Sequence, residues 1–257
     1  MTVHPAYRTA RRVTERASVV LAANPSPMTL DGTNTWLLGE RGAVVVDPGP
    51  DDAEHVDLVV AAAPAVRLVL ITHGHGDHTA GSRLLHELTG APVRALDQRH
   101  CIDGQPLVDS ERIEVGDVRL EVLATPGHTA DSVCLRLPGD GGVLTGDTVL
   151  GRGTTVIMPG DGDLGDHLDS LNRLSALPAR TPVLPGHGPD LPDLAATARQ
   201  YLRHREQRLE QVRAALRRLG AEATPRQVVE LVYVDVDRQL WPAAELSVRA
   251  QLDYLRR

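Results

Sequence analysis

The stretch Val66–His78, "VRLVLITHGHGDH", joins an apolar run to three histidines and an aspartate: His73, His75, Asp77 and His78. The run is continuous rather than alternating, the pattern of an inner strand whose two faces are both covered by helices. The polar half then falls at or just past the strand's C-terminal end. Alternate residues of an extended segment point the same way, so His73 and His75 present two imidazoles to one position. Gly74 and Gly76 let the backbone turn without a Cβ clash, and Asp77 and His78 face a neighbouring position as a helix begins. Imidazole and carboxylate together are zinc ligands. The cluster reads as one half of a metal site.

Three further stretches repeat the grammar of strand, small-residue turn and polar residue: "LEVLATPGHT" with His128, "GGVLTGDTVL" with Asp147, and "TPVLPGHGP" with His187. If the strands lie side by side, these residues gather along one rim with His73–His78. Five of the chain's eleven histidines sit in these segments, and the other six are read as structural or solvated. Helices are expected between the strands. "AGSRLLHELTG" ends on Gly90, suited to a left-handed C-terminal cap. "DLGDHLDSLNRLSAL" places Leu164, Leu168, Leu171, Leu174 and Leu177 on one stripe. Earlier strands are expected at "TNTWLLG" and "GAVVVDPG", where Asp47 is either an acceptor beneath the metal loop or a turn former before Pro48.

After about residue 194 the pattern is helical. From Leu194 to Leu219 the chain has seven arginines and two glutamates, a local charge of +5 in a chain of net −7. This helix has two readings. It tracks a phosphate backbone, or it is a solvated face with Leu209, Val212, Leu216 and Leu219 packed inward. A second helix opens at Thr224, Pro225 and Gln227, a capping box, and a third follows Trp241 and Pro242. The expected division is a catalytic unit over residues 1–190 and a helical unit over 191–257.

The length of 257 residues allows one large domain with a small appendage. Two separated cysteines, Cys101 and Cys134, in no CxxC pattern, suggest neither a disulfide framework nor a Cys-type zinc site and suit a reducing compartment. The N-terminal stretch has no apolar run of signal-peptide length and no segment approaches a membrane span. A cytoplasmic protein without membrane contact is therefore expected.

In order and spacing, "THGHGDH", "PGHT", "TGD" and "PGHG" resemble the metal-binding motifs of the metallo-β-lactamase superfamily, a likeness that covers roughly residues 18–190. The resemblance implies an α/β fold, an αβ/βα four-layer sandwich, with its site at the strand ends. It implies two Zn²⁺ ions, one held by His73, His75 and His128 and the other by Asp77, His78 and His187, with Asp147 bridging. With a bridging hydroxide, two carboxylates and two Zn²⁺, the cleft carries about +1 and attracts anions despite the acidic chain. Hydrolysis of an ester-type bond by metal-bound hydroxide is the expected reaction. Asp77 is a candidate proton donor to the leaving group, and Arg152, Thr154 and Thr155 are candidates to line the cleft.

Within the superfamily, His75 stands where flavo-diiron relatives carry an acid, which argues for zinc. Asp147 stands where one lactamase subclass carries a cysteine ligand, and only 40 positions separate Asp147 from His187, too few for the inserted domain of β-CASP nucleases. The chain is similar to the β-lactamase-like endoribonuclease branch through "NPSPMTLDGTNTWLLG", "GDTVLGRGTTVI" and "YLRHREQRLEQV". That branch cuts single-stranded RNA and carries a small winged-helix-like C-terminal domain, although here, with the chain stopping at "LDYLRR", a wing hairpin is not expected, which weighs against nucleic-acid binding by the tail. Glyoxalase II-like thioesterases share all seven ligands. The leading expected substrate is single-stranded RNA. The alternatives are a small anionic acyl substrate (thioester, lactone or, weakly, β-lactam) and a nucleic-acid-binding or interaction protein with structural metals. A homo-oligomer is compatible with either.

Overall fold

A computed structural model describes residues 4–138 and 141–257. The first three residues of the N-terminal stretch, and with them the start of the expected catalytic unit, lie outside the described residues.

The first sheet has six strands in sequence order: β1 (Ala10–Arg12), β2 (Ala17–Leu21), β3 (Asn34–Leu38), β4 (Val44–Val46), β5 (Leu68–Leu70) and β6 (Val93–Arg94). β1 to β4 pair antiparallel, whereas β4, β5 and β6 are parallel. The parallel steps need crossovers. They are supplied by α1 (Ala53–Ala62) before β5, and by α2 (Gly76–Thr79) and α3 (Ser82–Thr89) before β6. The second sheet runs β11 (Val183–Pro185), β10 (Val143–Gly146), β9 (Val133–Arg136), β8 (Val118–Ala124) and β7 (Arg112–Val115), antiparallel except between β10 and β11. The crossover into β11 is α4 (Leu164–Ser175). Three C-terminal helices follow: α5 (Leu194–Leu219), α6 (Pro225–Val232) and α7 (Trp241–Leu255).

Strand periodicity sorts side chains into layers. Trp36, Leu38, Val44, Val46, Leu68 and Leu70 face the other sheet, where they meet Leu120, Val122, Val133, Leu135 and Leu144. The intervening Leu37, Val45 and Val69 turn outward onto Val56 and Val59 of α1 and Leu85 of α3. On the far side, Leu123, Cys134, Val143 and Val183 pack under Leu171 and Leu174 of α4 and Leu194, Ala198 and Tyr201 of α5. The result is the expected αβ/βα sandwich. Each buried Leu or Val contributes roughly 1.5–3 kcal/mol, so the four layers are held by many equal parts.

The helical signals fall where they were expected. Gly90 closes α3 with φ 69°, and the Thr224 hydroxyl accepts from the Gln227 amide while the Gln227 side chain returns to the Thr224 amide. The far half of α5 joins α6 and α7 in a separate apolar cluster with Val212, Ala215, Val228, Trp241 and Val248. Among the described residues no strand follows β11. Two packing expectations need correction. Leu219, the last residue of α5, is 43% exposed and is not part of the apolar cluster with α6 and α7. Leu177 lies past the end of α4 and packs only partly buried.

Candidate metal centre

Loops at one end of the two sheets bring the seven motif residues together. His73 and His75 leave β5, Asp77 and His78 open α2, His128 follows β8, Asp147 follows β10, and His187 follows β11. Asn34 ties the two sheets at this end: its amide nitrogen donates to Pro185 O and Gly188 O at 3.0 and 2.9 Å. Trp36 Nε1 donates to the same Pro185 O at 3.0 Å. The "TNTW" stretch thereby fixes the loop that carries His187.

The ligating atoms converge in two groups. His75 Nδ1 lies 3.1 Å from both His73 Nε2 and His128 Nε2. In the second group His78 Nε2 and His187 Nε2 are 3.2 Å apart, with Asp77 Oδ2 at 3.4 and 3.2 Å from them. Asp147 stands between the groups, its Oδ1 3.6 Å from His78 Nε2 and its Oδ2 3.7 Å from His128 Nε2 and 3.3 Å from His187 Nε2. Atoms about 2.1 Å from one tetrahedrally coordinated ion lie about 3.4 Å from each other, close to these separations.

The far side of every imidazole is also engaged. His78 Nδ1–H donates to Asp47 Oδ2 at 2.8 Å, His75 Nε2–H to Asp161 Oδ2 at 2.8 Å, His128 Nδ1–H to Val156 O at 2.8 Å, and His187 Nδ1–H to Gly32 O at 3.0 Å. His73 Nδ1 is 3.1 Å from Thr72 Oγ1, whose hydrogen goes to Asp47 Oδ2. Carboxylate and carbonyl oxygens only accept, so these nitrogens carry the protons and the cluster-facing nitrogens present lone pairs. Lone pairs at 3.1 Å repel unless a cation lies among them. Asp147 Oδ1, buried and without a hydrogen-bond partner, makes the same demand. Burial pushes the His73 pKa well down. Burial would do the same to His187, but Asp147 and Asp77 push it up to about 10, so without a metal ion a proton takes the cation's place on its cluster-facing nitrogen. Burial raises the Asp77 pKa, yet hydrogen bonding and charge from His187 and His78 bring it down to about 2. The residues fit a divalent metal. A donor set of imidazole and carboxylate without thiolate suits zinc and also iron or manganese.

Beside the cluster a cavity of about 190 Å³ is floored by His128 and Asp147 and walled by Arg152, Gly153, Thr154, Thr155 and Val156 on one side. Pro27, Met28 and Leu30 form the other, and Met28 is 46% exposed at the rim. Arg152, Thr154 and Thr155 thus all border the cleft. The Arg152 guanidinium, however, makes a two-pronged ion pair with Asp31, with 2.9 Å between Nη2 and Oδ1, and the Thr155 hydroxyl is turned to His128 Nδ1 at 3.0 Å.

Sequence reasoning missed Asp161, Asp31 and Arg205, whose partners lie far along the chain and leave no local motif. The role of Gly74 also differs from expectation. Neither Gly74 nor Gly76 has positive φ; a Cβ on Gly74 would come within 2.6 Å of His100 Nε2, and Gly76 has open space around it. Gly74 serves close packing rather than a tight turn.

Comparison with known proteins adds two matches to family models: the Metallo-beta-lactamase superfamily over residues 28–187 and the Beta-lactamase associated winged helix domain over residues 224–257. The Beta-lactamase-like protein 2 homolog of Drosophila melanogaster is 30% identical over 266 residues, 95% of this chain and 89% of that protein. The atrochrysone carboxyl ACP thioesterase of Aspergillus fumigatus is 32% identical over 234 residues, 83% of this chain and 72% of that one. Among solved structures, a beta-lactamase domain protein from Burkholderia ambifaria superposes with a TM-score of 0.81 at 22% identity, covering 98% of this chain and 89% of its own, a likeness of fold.

Proposed function

The chain belongs to the metallo-beta-lactamase superfamily, and from that premise we propose that it is a di-zinc hydrolase of acyl esters or thioesters that carry an apolar group. The hydrolase reading is carried by the five imidazoles whose outward nitrogens are all engaged, which turns five lone pairs inward beside Asp77 and Asp147. Bound divalent ions supply a lowered water pKa and a Lewis acid for the developing oxyanion.

The chain's own groups do the rest. Pro27, Met28, Leu30, Leu150 and Val156 exclude water around an acyl group in the cavity. Asp77, ionised and held by the Thr33 hydroxyl at 3.1 Å, takes the proton of the attacking water and returns it to the departing thiolate or alkoxide. Thr154 borders the cleft as a hydrogen-bond donor. Arg152 is neutralised by Asp31, so the cavity wall offers a phosphodiester chain no free cation among the described residues. The thioesterase among the relatives supports the same choice. Hydrolysis of single-stranded RNA is the second reading, favoured by the winged-helix match and by the seven arginines of α5.

The test gives zinc-loaded protein an acyl N-acetylcysteamine thioester and, separately, a labelled single-stranded RNA, with His75→Ala as the control in both. Thioester turnover that falls at least about 100-fold in the variant, alongside two zinc ions per wild-type chain by elemental analysis, is the expected result. RNA cleavage lost in His75→Ala, with the thioester untouched, would overturn the acyl reading in favour of the nuclease.

A further inference from the structure

Residues 151–163 form a strap across the outer side of the cluster. It carries Val156, whose carbonyl accepts from His128 Nδ1, Thr155, whose hydroxyl is 3.0 Å from the same nitrogen, and Asp161, whose carboxylate accepts from His75 Nε2. The segment has no helix or strand of its own; its end is tied to the His128 turn by the Asp163 N–Gly127 O and Ala130 N–Asp161 O hydrogen bonds, and its middle needs a separate hold.

That hold comes from α5. Arg205 is only 4% exposed, in a helix whose other arginines read as a solvated face. Its Nη2 donates to Thr155 O at 2.6 Å. Leu209, one turn further on the same face, packs against Ile157 together with Leu164 of α4 and Ala250 of α7. Two successive turns of α5 therefore grip positions 155 and 157, and the residue between them is the one whose carbonyl orients His128.

Arginine is a costly choice for packing alone. Among the described residues no carboxylate pairs with Arg205, its Nε has no hydrogen-bond partner, and the buried His167 beside it has none at either nitrogen. A leucine or methionine would fill the same space without an uncompensated buried charge. What those side chains lack is a donor long enough to reach the strap's backbone.

We propose that Arg205 is a positioning residue for the metal cluster: through Thr155 O it fixes the strap so that Val156 O and Thr155 Oγ1 stay where the His128 ring needs them. The C-terminal helical unit is on this account a structural component of the metal site. The proposal rests on the metal-binding reading above and concerns no particular substrate.

The test uses the full chain, stripped of metal and reloaded with cobalt(II), as wild type, Arg205→Met and Arg205→Lys. Three quantities are read: the visible cobalt spectrum, the EDTA concentration that removes half the metal, and the melting temperature. Arg205→Met is expected to lose metal at roughly 10-fold less EDTA, the lower end of the cost of losing an outer partner, and to shift the cobalt bands. Lysine keeps charge and stem but is shorter and lacks the planar fork, so its spectrum and EDTA midpoint should lie between the two. A lowered melting temperature with unchanged spectrum and EDTA midpoint in Arg205→Met would reduce Arg205 to a packing residue and overturn the proposal. If Arg205→Met does not fold, the lysine variant decides, and wild-type values in it overturn the proposal. Wild-type chain that takes up no cobalt would bring down the metal reading and this inference together, an outcome distinct from the other two.

Discussion

His55, 3% exposed at the start of α1, never meets the metal cluster, yet it makes part of the fold's stability depend on pH. Its Nε2 is 2.8 Å from Thr35 Oγ1, and burial lowers its pKa to about 4, only partly opposed by Asp52. The unfolded chain takes up this proton near pH 6.5 and the folded chain near 4. The stabilisation is therefore complete above pH 6.5 and is lost progressively as pH falls from there through 4, with a ceiling on the order of 3 kcal/mol. His55→Gln, which can still bond Thr35, should melt with a shallower pH dependence between 6.5 and 4 than wild type. Parallel curves for the two proteins would show that His55 does not carry the effect. Single residues also mark the limit of what the sequence shows. The five cluster histidines were legible because they fall in short strand-end motifs. Asp47 was half legible: its carboxylate accepts from Thr72 N, Thr72 Oγ1 and His78 Nδ1, at a backbone φ of 53° that Asp tolerates better than most residues. Asp161 and Arg205 act across 86 and 50 positions of chain, and no local pattern announces a partner that distant.

Elements with a regular period were legible, and the unperiodic strap between β10 and α4 was not. Caps such as Gly90 and the Thr224–Gln227 box depend on neighbours within a few residues, so their chemistry is written locally. The strap depends on what lies above and below it. Asp163 N donates to Gly127 O and Ala130 N to Asp161 O, so the strap's end is laced to the turn that carries His128. Gly127 itself has φ +135°, and an added Cβ would lie 2.3 Å from His167 Cα, in the first turn of α4. Backbone cannot yield as a side-chain tip can. Gly127→Ala should cost about 2–3 kcal/mol by strain and displacement, and it should loosen metal binding because the next residue is His128. Urea denaturation and an EDTA titration on the same preparation check both parts. A stable variant with wild-type metal retention would mean that turn and helix can part without moving the ring. The doubled duty of α5 was hidden for the same reason: arginine at position 205 looks like its six solvated neighbours in the sequence, and only the packing of strap and helix separates it from them.

At the scale of the molecule, the change to helical character near residue 194 lets the sequence suggest a catalytic unit ending at 190, whereas the packing runs across that point. Leu194, Ala198 and Tyr201 sit in the same apolar cluster as Leu171, Leu174, Val143 and Val183, and the Tyr201 hydroxyl accepts from Leu150 N at 3.0 Å, just past Asp147. The first half of α5 thus serves as a covering helix of the second sheet, beside α4. Its second half belongs to the cluster of α6 and α7, so one continuous helix of 26 residues is shared by two cores. A chain cut after residue 190 would bare the α4 side of the sheet, lose the Tyr201 bond behind the cluster and free the strap of both Arg205 and Leu209. Losing the buried Leu194, Tyr201 and Leu209 side chains alone costs roughly 5–9 kcal/mol, comparable to the whole stability of an ordinary domain. The shortened chain should therefore be aggregated or molten and hold little metal, as judged by gel filtration and elemental analysis against the full chain. A monodisperse 1–190 fragment with its full metal complement would instead place the boundary where the change in sequence character puts it, and would leave α5 as an attachment rather than a wall of the active centre.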